Sequence, residues 1–150
     1  MILTGSFART IDEKLRIAIP KELRDAARLS PTGVLYVAPG TDGSLALYPE
    51  ETFAELAARW NAVSPTGREA RDFSRLFFAA ARRVELDRQS RIRIPVELAT
   101  QAHLRKEAML LGVQNHMELW DAQRWESYRN EKLPQYDAIA EETFRQCKDG

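Results

Sequence analysis

The chain has 150 residues, 44% hydrophobic and 29% charged, the make-up of a folded domain with enough length for a core. Its 22 basic and 22 acidic residues cancel, so any role that depends on charge must come from where the charge sits. The single cysteine, Cys147, excludes an internal disulfide and a multi-cysteine metal site; with no apolar run of membrane-span length and no signal-peptide core at the N-terminus, the chain is expected to be soluble and intracellular.

Taken in chain order, the elements come in two rounds. Residues 11–20 read IDEKLRIAIP. Alternation places Ile17 and Ile19 on one face and Arg16 and Ala18 on the other, with EKL between the arms short enough for a turn. The motif reads as a β-hairpin with Asp12 on one arm and Arg16 at the start of the next. Pro20 keeps Ile19 extended and suits the first position of a short helix, KELRDAARL. Strands follow around 34–37 and 45–48, then a helix whose apolar stripe is Phe53, Leu56, Ala57 and Trp60, with Glu50 and Glu51 at its N-terminus as the dipole prefers. FSRLFFAA repeats the helical pattern with Phe73, Leu76, Phe77 and Ala80. The string SPTG occurs at 30–33 and 64–67 without matching flanks and is turn chemistry used twice.

The second round begins at 86–95 with LDRQSRIRIP, 75 residues after the first motif. Val84 and Leu86 alternate with Glu85 and Asp87, and Ile92 and Ile94 oppose Arg91 and Arg93. Glu97-Leu98 repeats Glu22-Leu23 at the same offset. Strands are expected around 108–113 and 117–121, then a helix capped by Asp121, carrying Trp125 and ended by Pro134. Order and spacing persist, so the chain is an internal duplication. The expected organisation is a first repeat with its helix over 1–62 (the repeat proper about 5–49), a helical connection over 63–81, a second repeat with its helix over 82–133, and a tail over 134–150, helical or frayed.

An Asp and an Arg across one tight turn can simply pair, and an isolated surface ion pair contributes little. Duplication changes the weighing. Residues 82–93 hold five arginines against Glu85 and Asp87, a net of +3; residues 8–24 hold five basic residues against three acidic, a net of +2. Two similar basic hairpins suit a pseudo-symmetric polyanion, of which duplex DNA is the commonest. Arginine can grip phosphate or read guanine bidentately, and the pattern leaves both open.

The paired Asp-x-x-x-Arg signatures, Asp12–Arg16 and Asp87–Arg91, are each followed by Ile-x-Ile-Pro. Gly5, GTDGSLALYP at 40–49, GVQNHMELWD at 112–121 and Trp125 accompany them. In this combination, over roughly residues 1–130, the chain resembles the MraZ family, built from two AbrB-like (SpoVT/AbrB) repeats. The resemblance implies an α+β fold: two swapped-hairpin repeats forming one pseudo-symmetric β-barrel with flanking helices. It implies a bacterial transcription factor, cytoplasmic and nucleoid-associated, that assembles as a closed homo-oligomeric ring. Its expected partner is double-stranded DNA, at direct repeats upstream of the division and cell-wall gene cluster. Arg16 and Arg91 fall on the family's DNA-contacting arginines; Lys14, Arg88 and Arg93 are further DNA-binding candidates, and Asp12 and Asp87 the structural members of the motif. The family usually has Gly before the motif Arg, where Leu15 and Ser90 stand here. A left-handed Leu would be strained by roughly 1 kcal/mol or more, so the turn is expected to change shape or the hairpin tip to be remodelled.

His103 and His116, 13 residues apart with no Cys or carboxylate at ligand spacing, give no metal site; Cys147 is far from both in sequence. No phosphate-binding glycine loop is present, and Glu50-Glu51 and Glu141-Glu142 read as helix surface. Trp60, Trp120 and Trp125 are expected in the core or at subunit contacts. No cofactor and no catalytic constellation is expected, which leaves a DNA-binding regulator ahead of a ring-forming scaffold whose basic hairpins bind an acidic protein.

Overall fold

The structure, a computed structural model, describes residues 1–63 and 67–149. The second SPTG, at 64–67, lies mostly outside them. The first, at 30–33, is a turn closed by Gly33 N–H donating to Ser30 O at 2.8 Å.

The first round comprises β1 (Ser6–Thr10), β2 (Arg16–Ala18), α1 (Lys21–Ala26), β3 (Val34–Pro39), β4 (Leu45–Pro49) and α2 (Glu50–Val63). After α3 (Arg68–Phe78), the second comprises β5 (Arg82–Glu85), β6 (Arg91–Arg93), α4 (Val96–Gln101), β7 (Glu107–Val113), β8 (His116–Asp121) and α5 (Ala122–Lys132). A 3₁₀ turn at Leu133–Gln135 leads into α6 (Tyr136–Asp149). The tail is therefore helical. Pro134 interrupts α5 but does not end helical structure, because its ring fits the early positions of a tight turn. Pro20 and Pro95 sit one residue earlier than expected, at the N-caps of α1 and α4, with ψ of 147° and 138°.

The six-stranded antiparallel sheet runs β1-β7-β8-β4-β3-β5, and β2 and β6 form a separate two-stranded ribbon. The repeats exchange partners. β1 of the first pairs with β7 of the second, and β5 of the second pairs with β3 of the first. In the ribbon Ile17 lies opposite Ile92, its own counterpart at an offset of 75, so the pseudo-two-fold axis passes through that pair. The ladder extends symmetrically through Ile19 N–H to Ser90 O at 2.9 Å and Ile94 N–H to Leu15 O at 2.8 Å.

This corrects the simple hairpin reading. Each motif keeps a tight turn, closed by Asp12 N–H donating to Arg16 O at 3.1 Å and Asp87 N–H to Arg91 O at 2.8 Å. Its two arms then ladder onto different partners. By meeting, β2 and β6 set Ile17 and Ile92 side by side, both buried in the shared core.

One core joins sheet and ribbon. Ile17, Ile19, Ile92 and Ile94 belong to the same buried cluster as Leu35, Val37, Leu47, Leu110, Met117 and Leu119. On the outer face Phe53 stacks on Tyr36, ring centroids 4.3 Å apart, and Trp120 meets Trp125 edge-on at 5.3 Å. Trp60 donates its indole N–H to Ser74 Oγ at 2.6 Å, joining α2 to α3. The expected α3 stripe is split: Phe77 is buried, whereas Phe73 is half exposed and Leu76 is 74% exposed. Phe77 turns into the ring cluster with Tyr48 and Phe53, whereas Leu76 faces outward. Asp121 is buried and caps α5, its Oδ2 accepting Arg124 N–H at 3.2 Å; Arg105 donates to both its oxygens, Nε–H to Oδ1 at 3.1 Å and Nη2–H to Oδ2 at 3.0 Å.

Candidate nucleic-acid interface

The two motif turns are built alike. Asp12 Oδ1 accepts the backbone N–H of Lys14 at 2.9 Å and of Arg16 at 2.8 Å, and Oδ2 accepts Arg16 Nε–H at 2.7 Å. Asp87 Oδ1 accepts Gln89 N–H at 2.8 Å and Arg91 N–H at 2.9 Å, and Oδ2 accepts Arg91 Nε–H at 3.0 Å. One carboxylate thus satisfies two turn amides and aims one guanidinium, as short acidic side chains do in Asx turns. The match also fixes which positions correspond. Lys14 corresponds to Gln89, and Arg88 to Glu13, so the two tips carry their extra cations at different places.

The left-handed residue survives the loss of Gly. Leu15 has φ 60° and Ser90 φ 59°. Both residues take the left-handed conformation that Gly adopts at no cost, because the aspartate bonds over-determine the turn and hold a strained residue in place. Ser90→Gly should therefore stabilise the fold: relief of about 1–2 kcal/mol of left-handed strain, less about 0.5–1 kcal/mol of extra unfolded-chain entropy, leaves a small net gain. A thermal melt checks it, and a lowered Tm would show the strain to be absent.

Both motif carboxyls are held below their ordinary value of 3.8, chiefly by the Arg16 and Arg91 backbone N–H bonds respectively, and further by the guanidinium groups. A carboxyl that titrates lower in the folded chain than in the unfolded one stabilises the fold fully above its unfolded value, and that contribution drains away as pH falls through the folded value. Tip order, followed by amide exchange at Lys14 and Gln89, should hold from neutral pH down to the ordinary carboxyl range and collapse only below it. Loss of order well above that range would contradict the assignment.

Side by side, β2 and β6 make one basic surface. Arg16 lies opposite Arg93, and Ala18 opposite Arg91, so three arginines share the face opposite the buried isoleucines. Arg16 and Arg91 side chains are about one-third exposed. Arg93 is exposed and donates Nε–H to Lys14 O at 3.1 Å, across the repeats. Arg91 Nη1 lies 3.9 Å from Asp12 Oδ2, also across the repeats. Lys14 and Arg88 are exposed at the tips, and their side chains have no partner among the described residues. Each motif arginine uses Nε on its own aspartate and keeps guanidinium N–H groups that make no hydrogen bond within the described residues.

The other basic residues of the 82–93 run are spent elsewhere: Arg82 on the carbonyls of Ala79 and Ala81, Arg83 on Glu85. The two cross-repeat contacts from Arg91 and Arg93 were not foreseen. The signal for them lay in the duplication itself, since a self-pairing Ile17–Ile92 register puts each tip beside the other repeat's strand. His103 is exposed; His116 stacks against Tyr48 with Nε2 3.5 Å from Glu118 Oε2.

The family described as "MraZ protein, putative antitoxin-like" matches residues 2–76 and again residues 77–147. The chain belongs to this family. The matches meet between residues 76 and 77, within α3, and each spans one copy of the repeated motif. Relatives include the protein called transcriptional regulator MraZ in Moorella thermoacetica, 39% identical over 91% of this chain and 93% of its own. Those of the same name in Limosilactobacillus reuteri and Finegoldia magna are 38% and 36% identical, over 94% and 91% of this chain and 96% and 93% of theirs. Among the described residues no helix is long and apolar enough to cross a membrane.

Proposed function

We propose that the protein is a DNA-binding transcriptional regulator and that the outward face of the β2–β6 ribbon meets the duplex. The observation that carries this reading is convergence: two motifs 75 residues apart set Arg16, Arg91 and Arg93 on one outward face, with Lys14 and Arg88 beside it unpaired among the described residues. A two-stranded ribbon is narrow enough to enter the major groove. The names of the family relatives support the regulatory role.

The finer reading is a sequence-specific regulator of its own promoter region, acting at direct repeats upstream of division and cell-wall genes, in the cytoplasm at the nucleoid. The ribbon's apolar side packs on the same core as the sheet, which supports closure of strands and ribbon into one barrel. Several copies assemble as a closed ring, a reading supported by apolar side chains left uncovered on α3 and α6, among them Leu76, Tyr136 and Phe144. One ribbon offers few contacts, but copies held in a ring engage successive sites and gain about 10²–10⁴ in avidity.

Gel shifts with the upstream region test the reading. A duplex carrying tandem repeats should bind far more tightly than a one-repeat duplex, and scrambled DNA should bind weakly. Equal binding to all three would contradict specific recognition, and light scattering that shows a monomer at micromolar concentration would remove the ring.

A further inference from the structure

Although the two tips share a hydrogen-bond pattern, their surroundings differ. Leu15 packs against the core beside a groove of about 760 Å³ lined by Val96, Ala99, His103 and Leu104 of the second repeat. Its counterpart Ser90 faces a groove of about 550 Å³ beside α1, lined by Arg24, Leu29 and Pro31. At the offset of 75, Val96 and Ala99 replace Lys21 and Arg24. The second groove keeps apolar Leu29 and Pro31 but has Arg24 where the first has Ala99, and Arg24 is already engaged in donating Nε–H to Ile19 O at 3.0 Å; only the first groove, with its α4 ledge, meets an apolar tip residue. Two polar ties run the same way. Arg93 Nε–H donates to Lys14 O, and Arg91 Nη1 lies near Asp12. Arg93 has no counterpart in the first repeat, where Ala18 stands, so among the described residues no side-chain tie runs from β2 to the second tip; across the repeats the two tips share only the mirrored backbone bonds of Ile19 to Ser90 and Ile94 to Leu15.

We infer that Leu15, seated on the α4 ledge and aided by Arg93, is a positioning residue that holds the first tip rigid, so that the protein meets DNA with one held tip and one adaptable tip. This rests on the functional reading above. The aspartate bonds hold Leu15 in the left-handed position as they hold Ser90, and the packing of its side chain on the ledge adds to that hold, so that the guanidinium of Arg16 is fixed before DNA arrives. The second tip has the bonds of its own aspartate and one backbone bond from Ile19, with Arg91 held on Asp87 and Arg88 left to adjust. Preorganising one tip lowers the ordering cost of binding; leaving the other mobile accommodates variation between sites.

Amide exchange on the full chain without DNA tests the physical half. Leu15 N–H and Ser90 N–H each donate to the carbonyl of their own motif aspartate at 3.0 Å. Corrected for intrinsic rates, Leu15 should exchange at least about tenfold more slowly than Ser90. Leu15→Ala should bring the first tip to the rate of the second and leave the core amides of β3 and β8 unchanged. Equal protection in the wild type, which needs no variant to fold, would overturn the inference. Binding tests the functional half: Leu15→Ala should lose at least about threefold in affinity with no change in salt slope, since no cation is removed, and Leu15→Met should restore it. Unchanged affinity in Leu15→Ala would overturn that half. A wild type that exchanges as expected yet binds no DNA would sink the proposed function and leave the held tip standing.

Discussion

Arg91→Ala should weaken binding to a tandem-site duplex more than Arg16→Ala does. Both side chains stand on the exposed face of the ribbon, each aimed by its own aspartate. Arg91 does more. Its Nη1 also lies near Asp12, so it spans the carboxylates of both repeats, and Arg88 and Arg93 flank it. Removing it deletes a cation from the more basic half and slackens one tie between the tips; removing Arg16 deletes a cation and its bond to Asp12 within one tip. If Arg91 meets phosphate, its loss reduces the slope of log K against log salt by about 0.9 for each contact removed. If it reads a base, the loss is about 1–3 kcal/mol per base contact, with preference relaxed at one position. Several copies engaged at once multiply either loss. Both variants should keep the wild-type Tm and assembly state, and an Arg16→Ala protein that binds worse than Arg91→Ala would refute the ranking.

Ile92→Ala should be among the most damaging single substitutions for folding. Ile17 and Ile92 sit opposite each other on the pseudo-two-fold axis, 0% and 1% exposed, where the ribbon packs on the core shared by both repeats. Truncating a buried Ile to Ala costs about 2–5 kcal/mol through lost burial and an unfilled cavity. The upper part of that range applies here, because short β2 and β6 ladder only onto each other and the site has little freedom to collapse. Val113→Ala, on an exposed position at the end of β7, should stay within about 0.5 kcal/mol. Urea unfolding followed by circular dichroism compares the two, and similar midpoints would show that the ribbon is not part of the cooperative core.

Much of this architecture was legible in the residues. The offset between Asp12 and Asp87 gave the duplication, and the Ile-x-Ile alternation gave the buried face of each β2-like strand. Phe53 and Trp125 marked helices that cover the outer face. Strand partners were not legible in the same way. A three-residue arm carries no local signal for whether it folds back on its own repeat or crosses to the other, and the crossing wins only because burial is scored over the whole chain. Likewise, Leu15 and Ser90 in place of Gly argued from local strain for an altered turn, while the turn is held by aspartate bonds that local propensity does not count. As for the interface, its members were readable as a set of cations, but their division of labour was not. That division depends on Arg93 finding Lys14 O and on Arg82 and Arg83 being spent within their own neighbourhood, contacts that exist only once β6 lies beside β2.

Fluorescence titration of wild type and Arg91→Ala against tandem-site duplex at several salt concentrations tests the central claim most directly. A steep linear fall of log K with log salt is expected for the wild type, with weaker binding by a correctly folded and assembled Arg91→Ala protein. Unchanged affinity in that variant would reduce Asp87–Arg91 to a salt-bridged turn and contradict the ribbon as the DNA-facing surface.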